Sequence, residues 1–507
     1  MAKKKNELTY LQSPIPEGQK YYKSTKLSFS GLNRRHTLDT GVLSYEKNIS
    51  TVEAPYLTPS SVPTRLQTRL ETFNSDIIDV FGFDDFLVVI LRVIDTYNSL
   101  GEVTSSHIDI HFVDEKGVFA SGILDANGDT SHRSIVQFNV YTKNDEGRID
   151  VLTGKFDKKL LIFPDKMSLD FNVERNYTKP TELKPALFDI APKLKYATVH
   201  LSRVFGVDDD RVYASGFNDY SNWNLDTADE YNESNAWCSP AQSNVKADSK
   251  FTGITTYQNH VVCFKRNFMH EIYNTKNPFR IQDIYAEGTI DNRTVQDVDG
   301  RLIFVSDDNV KVYTGSNPKI ISYYLNIPKY EEAVSGQDGR NYYLYTKNGE
   351  ESHFFVYDTM IDEWSERDAT AYGEIKGFAN NSQGVYMFTS NNIYKLNTSD
   401  FAGQEWAFET DLMTNQTVDI KHIKKLQMLG DFENCDLDIY ALYDDEEFNS
   451  ETSHKVYSRT ALNGKKPIRI KPRNTAHYGF KLHFEGVGYA KLYELEIFAQ
   501  QGGELYV

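Results

Sequence analysis

Residues 294 to 315 read TVQDVDGRLIFVSDDNVKVYTG, and this stretch decides the fold because its pattern returns along the chain. An Asp299-Gly300 turn separates two apolar segments, which favours a tight hairpin. A second polar turn leads into a third strand with a period of two, as a blade packed on its neighbours requires. In that strand Val310, Val312 and Gly315 alternate with Lys311 and Tyr313.

Three further stretches have the same order of strand, polar turn, strand, polar turn and strand. They are GITTYQNHVVCFKRNFMHEIY from Gly253, AVSGQDGRNYYLYTKNGEESHFFVYD from Ala333 and EIKGFANNSQGVYMFTSNNIYKLN from Glu374. Their first turns and that of the opening stretch recur roughly every forty residues, which is the blade period of a β-propeller. The four turns are Gln258-Asn259, Asp299-Gly300, Asp338-Gly339 and Gln383-Gly384.

Weaker copies of the pattern lie upstream and extend the count. They begin at Ile78 (IDVFGFDDFLVVILRV), Leu152 (LTGKFDKKLLIFPD) and Arg203 (RVFGVDDDRVYASG). Because one blade cannot bury both of its faces, such units close into a ring. We predict a mainly β protein with a propeller of about six or seven blades over residues 61–400; residues 95–151 belong either to blades or to an insertion. The alternative is a sandwich of unrelated hairpins.

The two ends of the chain lack this period. Residues 1–60 are rich in Lys and then in turn residues, which indicates an extended arm that becomes ordered against another surface. Residues 401–507 contain several strands, among them FENCDLDIYALY and GFKLHFEG. We interpret them as a C-terminal β domain or platform, or as strands that pair with the N-terminal arm.

Composition restricts the function. The formal net charge of −17 disfavours general adhesion to nucleic acid or to anionic membranes. The longest apolar run, residues 86–91, is far shorter than the roughly 20 residues of a membrane span, and no secretory signal is expected. Three widely separated cysteines give no disulfide framework, which favours assembly in a reducing cytoplasm.

Sequence signatures of an enzyme are missing. There is no nucleophile elbow, phosphate-binding loop, dinucleotide fingerprint or zinc-protease motif, and the repeated turns of sialidase-type propellers do not occur. The run Asp208-Asp209-Asp210 lies at a blade turn without the alternating ligands of a calcium loop. We therefore predict a protein that is not an enzyme, with no catalytic, metal or cofactor-binding residues and no cofactor.

Two groups of residues remain as candidate sites. Residues 211–224, RVYASGFNDYSNWN, interrupt a strand with polar and aromatic residues and are interpreted as a structural corner or as a ligand platform. The corner residues are Asn218, Asp219, Asn222 and Trp223. The second group is a basic cluster in the acidic chain, either a solvated strand face or a docking surface. This basic cluster comprises Lys455, Arg459, Lys465, Lys466, Arg469, Lys471 and Arg473.

Several stretches resemble one known family. The corner stretch, the strand pair FTGITTYQNHVVCFKRNFMHEIY and RLIFVSDDNVKVYTG are similar to a run in bacteriophage tail proteins. GLNRRHTLDTGVLSYEKNISTVEAPYLTPS, residues 31–60, resembles their beginning, and PIRIKPRNTAHYGFKLHFEG, residues 467–486, resembles their closing strands. The family is the tail nozzle, or packaged-DNA stabilisation protein, of short-tailed phages. Ser60 stands where the family pattern Y-L-x-P-R ends in Arg, so an anchoring role at that position does not carry over.

The resemblance implies a virion protein of the tail, assembled in the host cytoplasm. It implies a homo-oligomer, a hexameric ring below the portal and adaptor proteins, which contacts tail fibre or needle proteins and lets double-stranded DNA pass. It also implies that the corner is structural, with Trp223 packed between blade and subunit. The alternatives are a carbohydrate-binding or carbohydrate-active propeller and another tail component, such as a fibre-docking protein.

Overall fold

The chain folds almost entirely into β-strands. A computed structural model describes residues 22–27, 29–35, 42–67, 75–97, 103–142, 155–188, 190–225, 235–239, 250–274, 276, 279–285, 287–414, 420–444, 446–473 and 475–501. Two short 3-10 helices, Asn292–Thr294 and Tyr323–Leu325, interrupt the strands. In the described part of the chain, no helix is both long and apolar enough to cross a membrane.

Seven sheets, antiparallel except for one short strand, follow one another along the chain, and each forms one blade of a propeller. Blade 1 comprises Ser75–Phe83, Phe86–Tyr97, Val103–Asp114, Gly117–Asp125 and the parallel strand Thr181–Glu182. Blade 2 comprises Ser134–Tyr141, Phe156–Phe163, Met167–Asp170 and Ala186–Leu187. Blade 3 comprises Tyr196–His200, Arg203–Val207, Val212–Ala214 and Trp237–Cys238.

The remaining four blades each have four strands. Blade 4 comprises Gly253–Tyr257, His260–Lys265, Phe268–Tyr273 and Arg280–Tyr285, and blade 5 comprises Gln296–Val298, Arg301–Val305, Val310–Tyr313 and Lys319–Ile320. Blade 6 comprises Glu332–Gln337, Asn341–Asn348, Glu351–Asp358 and Glu363–Arg367. Blade 7 comprises Gly377–Asn381, Gly384–Phe388, Ile393–Lys395 and Thr64–Arg65.

Hydrophobic clusters between the blades close the ring. Each of seven buried clusters in the described residues joins two successive blades, and the last joins blade 7 to blade 1 through residues such as Val89 and Phe388. Each blade needs a neighbour on both sides to bury its two apolar faces. Because the ring is closed, no terminal blade is left with an apolar face exposed to water. The predicted β-propeller is thereby confirmed, with seven blades.

Blade 7 is completed by a strand from the other end of the propeller sequence. Thr64–Arg65 pairs with Ile393–Lys395 as its outermost strand, with Arg65 opposite Tyr394. At the seam with blade 1, Gly82 lies so close to blade 7 that an added Cβ would be 1.8 Å from the backbone oxygen of Asn380. Only glycine fits this approach of two backbones.

The strands between residues 95 and 151 belong to blades. Val103–Asp114 pairs with Phe86–Tyr97 in blade 1, and Ser134–Tyr141 is the first strand of blade 2. The predicted alternation in the third strand of blade 5 is confirmed. Val310 and Val312 pack towards blade 6, whereas Tyr313 is fully buried against blade 4, because both faces of a blade are covered by its neighbours.

A separate seven-stranded sheet, the platform sheet, combines both ends of the chain. Tyr22 of the arm pairs with Ala499, and Lys47 pairs with Ala407, so the arm residues take part in the C-terminal sheet. Its strands are Tyr22–Leu27, Leu43–Lys47, Glu405–Thr410, Lys421–Tyr443, His454–Ile470, Ala476–His477 and Phe480–Gln501, and the short pair Ile49–Ser50 and Thr58–Pro59 lies beside it.

Long strands dominate the platform sheet. Lys421–Tyr443 and Phe480–Gln501 pair over almost their whole length, with three shifts of register. Such bulges bend a strand, and one apolar cluster unites its buried side chains. At its centre the rings of Phe408 and Phe484 stack with centroids 4.4 Å apart.

The arm fastens the platform sheet to the outer strands of blade 6, and we call these contacts the joint. Leu32 donates its backbone N–H to the carbonyl of Trp364 at 2.8 Å, and the backbone N–H of Asp368 donates to Asn48 Oδ1 at 2.8 Å. Arg340 of blade 6 holds the fully buried carboxylate of Asp358 in a fork of hydrogen bonds, and this carboxylate also accepts from Thr51 of the arm at 3.5 Å. Polar groups therefore specify where the arm lies.

Candidate functional site

The basic cluster lies on one edge of the platform sheet. The edge strand, His454–Ile470, pairs only with Lys421–Tyr443, so its other side has no strand partner among the described residues. All seven predicted side chains of the cluster are exposed. Charged residues on an open edge prevent uncontrolled pairing of sheets. Here they also form a positively charged surface.

The members of the cluster differ in their partners. Lys455 forms an ion pair with Asp438 at 2.8 Å, and the ammonium of Lys465 lies over the ring of Tyr493 at 5.3 Å. Five members form neither an ion pair nor a cation–π contact with any residue that the structure describes. They are Arg459, Lys466, Arg469, Lys471 and Arg473. Of these, the four from Lys466 to Arg473 lie next to one another in sequence and are available together for a partner.

The corner residues pack within the propeller. Trp223 is 8% exposed in the cluster between blades 2 and 3, and its Nε1 donates to the carbonyl of Tyr220 at 2.9 Å. Asp219 Oδ1 accepts from the backbone N–H of Ser221 at 3.0 Å, and the carbonyl of Asn222 accepts from Gly216. Trp223 thus packs between two blades of its own chain, and its contact with a neighbouring subunit stays a prediction.

Asn218 is the unusual member of the corner. It has a positive φ of 54°, which Asn adopts more readily than most residues. Its side chain is buried, and neither its Oδ1 nor its Nδ2 has a hydrogen-bond partner in the described structure. Beside it, Leu201 and Phe217 are exposed. The corner thus combines a tightly packed indole with a small exposed apolar surface.

The propeller axis is crossed by side chains. Arg293, next to blade 5, reaches His132 beside blade 2, with Nη1 3.0 Å from Nε2. His132 Nδ1 lies 2.7 Å from Asp79 of blade 1, and Asp291 binds Arg293 at 2.8 Å. A double helix cannot pass where residues from opposite sides of the ring are in contact. The axis of one propeller is therefore closed to DNA.

A buried polar cluster between blades 4 and 5 was not predicted from the sequence. Glu271, 2% exposed, accepts hydrogen bonds from the hydroxyls of Tyr313 and Tyr273. Burial lowers the pKa of His260, against the attraction of Glu271, and burial raises the pKa of Tyr313. Because both carboxylate oxygens accept hydroxyl donors, the cluster satisfies buried polar groups between two blades.

A cleft of about 1010 Å³ on the polar face of the platform sheet was also not predicted. His483 lies in it, stacked on Phe448 with ring centroids 3.6 Å apart. Glu409 and Glu485 flank the imidazole at 3.4 and 3.6 Å. These residues come from three separate segments, so no local motif could indicate them.

The possible calcium turn forms a hairpin. Asp208 Oδ1 accepts the backbone N–H groups of Asp210 and Arg211 at 2.7 Å each, and Asp209 pairs with Lys250. Over the described ranges, no group of three or more His, Cys, Asp or Glu side chains has the geometry to hold a metal ion. The three cysteines are free.

Comparisons with known proteins identify no family for this chain. No protein family and no curated protein matches the sequence. Among solved structures, the β-propeller domain of Cps50 (Swd1) from Myceliophteria thermophila is 11% identical, with a TM-score of 0.38 over 67% of this chain and 100% of that one. YCF48, solved bound to a D1 peptide, is 7% identical, with a TM-score of 0.36 over 67% of this chain and 96% of that one.

Proposed function

We propose that this chain is a structural component of a virus particle, a subunit of a phage tail nozzle. In this proposal six copies form a ring below the portal and adaptor, retain the packaged genome and conduct it during ejection. The ring also contacts tail fibre or needle proteins. The protein acts by assembly and not as an enzyme, and its location is the virion tail.

The observation that carries the proposal is the open edge of the platform sheet. Its edge strand exposes Lys466 and Arg469, and Lys471 and Arg473 follow directly after it, all without an ion pair to a described residue, on a chain whose formal net charge is −17. Rings of identical chains use two different surfaces of each subunit, which attract each other when their charges are opposite. A rigid propeller that carries such an edge at one side is suited to building a ring.

The closed propeller axis defines how such a ring conducts DNA. Because Arg293 and His132 meet across the axis, the passage lies between the copies and not through any one propeller. A predominantly acidic chain favours sliding over tight binding, because its field repels phosphate. The ring therefore requires contacts between subunits, and the platform edge is the surface that can supply them.

The test is cross-linking mass spectrometry on purified particles from the source, with quantification of copy number. We expect the chain in particles at about half the copy number of the portal, as sixfold and twelvefold rings require, with cross-links from the basic cluster to adaptor or portal. Absence from particles would refute the proposal. Glycan binding by the purified chain would then favour the carbohydrate-binding alternative, and cross-links to fibres alone would favour a fibre-docking role.

A matched pair of variants tests the part played by the edge. Lys466→Glu combined with Arg469→Glu should prevent ring formation, measured by native mass spectrometry, while the melting temperature stays unchanged. Lys184→Glu is the control, because this exposed lysine of the propeller is distant in sequence and has only a surface partner, Glu182, at 3.6 Å. Normal rings from the double variant would remove the edge from the proposal.

A further inference from the structure

The cleft beside His483 is built from the polar face of the platform sheet. Residues alternate along each strand, so Phe408 and Phe484 enter the core whereas Glu409, His483 and Glu485 face the cleft. The loop after Lys421–Tyr443 adds Phe448, which covers the imidazole. The floor of the cleft is therefore held by paired strands and not by loops alone.

The cleft is acidic. Its walls carry six carboxylates against three permanent cations, Lys47, Arg459 and Lys481. Two of those cations are already engaged, since Lys481 lies 3.4 Å from Glu409 and Lys47 lies 3.5 Å from Glu405. The carboxylates are those of Glu405, Glu409, Asp436, Asp438, Glu447 and Glu485. The surplus of negative charge attracts a cationic ligand.

His483 gives the second indication of a ligand. The residue is 4% exposed, and neither ring nitrogen forms a hydrogen bond with a described residue. Leaving a buried polar group without a hydrogen bond costs about 1 to 3 kcal/mol, and Glu409 and Glu485 approach the two ring nitrogens without completing one. A guanidinium has five N–H donors in one plane and can bind the two flanking carboxylates together.

Aromatic walls suit the same ligand. Phe448 stacks on His483, and Tyr45, also in the lining of the cleft, is 42% exposed. Aromatic faces attract cations by about 0.5 to 1 kcal/mol where water has access. The chemical class of ligand is thus an arginine or lysine side chain.

We propose that the cleft of one copy receives the unpaired basic side chains of a second copy, from the segment Lys466 to Arg473. The basis is charge complementarity on one chain: these cations lack ion pairs with described residues, and none of them lines the cleft of its own chain. The two surfaces differ, so the contact is heterologous and propagates around a ring. The inference rests on the proposed function, because it assumes a ring of identical copies. It adds the surface, the cleft, that binds the basic segment of the next copy.

The first experiment uses a fluorescent peptide with the sequence of residues 464–473, GKKPIRIKPR, and the purified full chain. We expect binding that weakens with salt and falls at least about tenfold when Glu409→Gln and Glu485→Gln are combined. The control is Glu182→Gln, an exposed carboxylate of blade 1. Equal binding by both proteins would overturn the proposal. Circular dichroism melting confirms that each variant is folded.

The second experiment exchanges the charges between copies. Arg469→Glu should abolish self-association in analytical ultracentrifugation, and mixing it with a chain that carries Glu485→Arg should restore a mixed oligomer. Association of Arg469→Glu alone, or no association in the mixture, would overturn the proposal. These measurements need no particle, so they separate the two hypotheses: a chain that passes them but is absent from virions refutes the nozzle, and a virion chain that fails them refutes the cleft.

Discussion

The blades and the platform sheet are both antiparallel, but they are formed by pairing over very different distances. In blade 5, Val298 pairs with Arg301 across the Asp299-Gly300 turn. In the platform sheet, Tyr22 pairs with Ala499 near the other end of the chain. The first kind of pairing is encoded by a turn, and the second depends on matching apolar faces after the rest has folded. The strands of the propeller therefore pair mainly with near neighbours in sequence, whereas the platform sheet joins the two ends of the chain.

The largest effect is expected at the propeller seam, from Gly82→Ala. The new Cβ would lie 1.8 Å from the oxygen of Asn380, so blades 1 and 7 must separate. We expect a loss of about 5 kcal/mol or failure to fold, measured by urea unfolding. Amide exchange should rise in Gly377–Asn381, on the far side of the seam. An unchanged midpoint would show that the two blades do not meet there.

Removing one core ring in each region compares their cooperativity. Phe408→Ala in the platform sheet and Phe304→Ala in blade 5 each delete a fully buried ring, and each should cost about 3 to 5 kcal/mol. By hydrogen exchange we expect Phe408→Ala to expose Glu405–Thr410 while the blades stay protected. Phe304→Ala should expose the strands of blades 4 and 5. Equal exchange throughout the chain in both variants would indicate a single cooperative unit instead.

Arg340→Ala tests how firmly the joint connects the two regions. The change leaves the buried Asp358 without its cationic partner, and we expect a loss of roughly 3 kcal/mol. The matched control is Arg301→Ala, whose partner Asp362 is 43% exposed, with an expected loss below about 1 kcal/mol. Both are measured by chemical denaturation. Similar losses in the two variants would mean that burial of Asp358 does not matter.

A smaller, pH-dependent gain is expected from Glu46→Gln at the same joint. Burial raises the pKa of Glu46 well above its ordinary value, with Glu366 nearby adding to the rise. Since the folded chain holds this proton more tightly than the unfolded chain, stability is lost as pH rises from the ordinary glutamate range through the raised pKa. Gln keeps the acceptor for the backbone N–H of Glu366, at 3.2 Å from Glu46 Oε2 in the native chain.

The measurement is the difference in unfolding free energy between Glu46→Gln and the native chain from pH 4 to pH 8. The variant should be more stable at pH 8 and equal to the native chain near pH 4. Glu405→Gln provides the control, because Glu405 is 71% exposed. A constant difference across the range would contradict a buried, proton-binding Glu46.

The parts of the fold that the sequence predicts are those encoded by neighbouring residues. The four turns from Gln258-Asn259 to Gln383-Gly384 lie between the first and second strands of blades 4 to 7. The closing strand Thr64–Arg65 could not be found in this way, because two residues carry no periodicity and their partner is more than three hundred positions away.

The candidate sites also differ in whether neighbouring residues in the sequence form them. The basic cluster is visible in sequence because Lys465, Arg469 and their neighbours follow one another along a single strand. His483, Glu409 and Tyr45 belong to three strands, and only the platform pairing brings them together. Their chemistry depends on burial as well as residue type, and burial of a lone histidine cannot be read from its neighbours.

The closing strand of blade 7 can pair only after its partner strand has been synthesised. Arg65 is made early, but its partner Tyr394 is added 329 positions later, an interval of roughly 16 to 66 s at about 5 to 20 residues per second. Throughout that time the growing propeller is an open arc with an apolar face at its end. The early strands Tyr22–Leu27, Leu43–Lys47 and Thr64–Arg65 therefore find their partners only after residue 390 has been made, and chaperone demand should peak just before that moment.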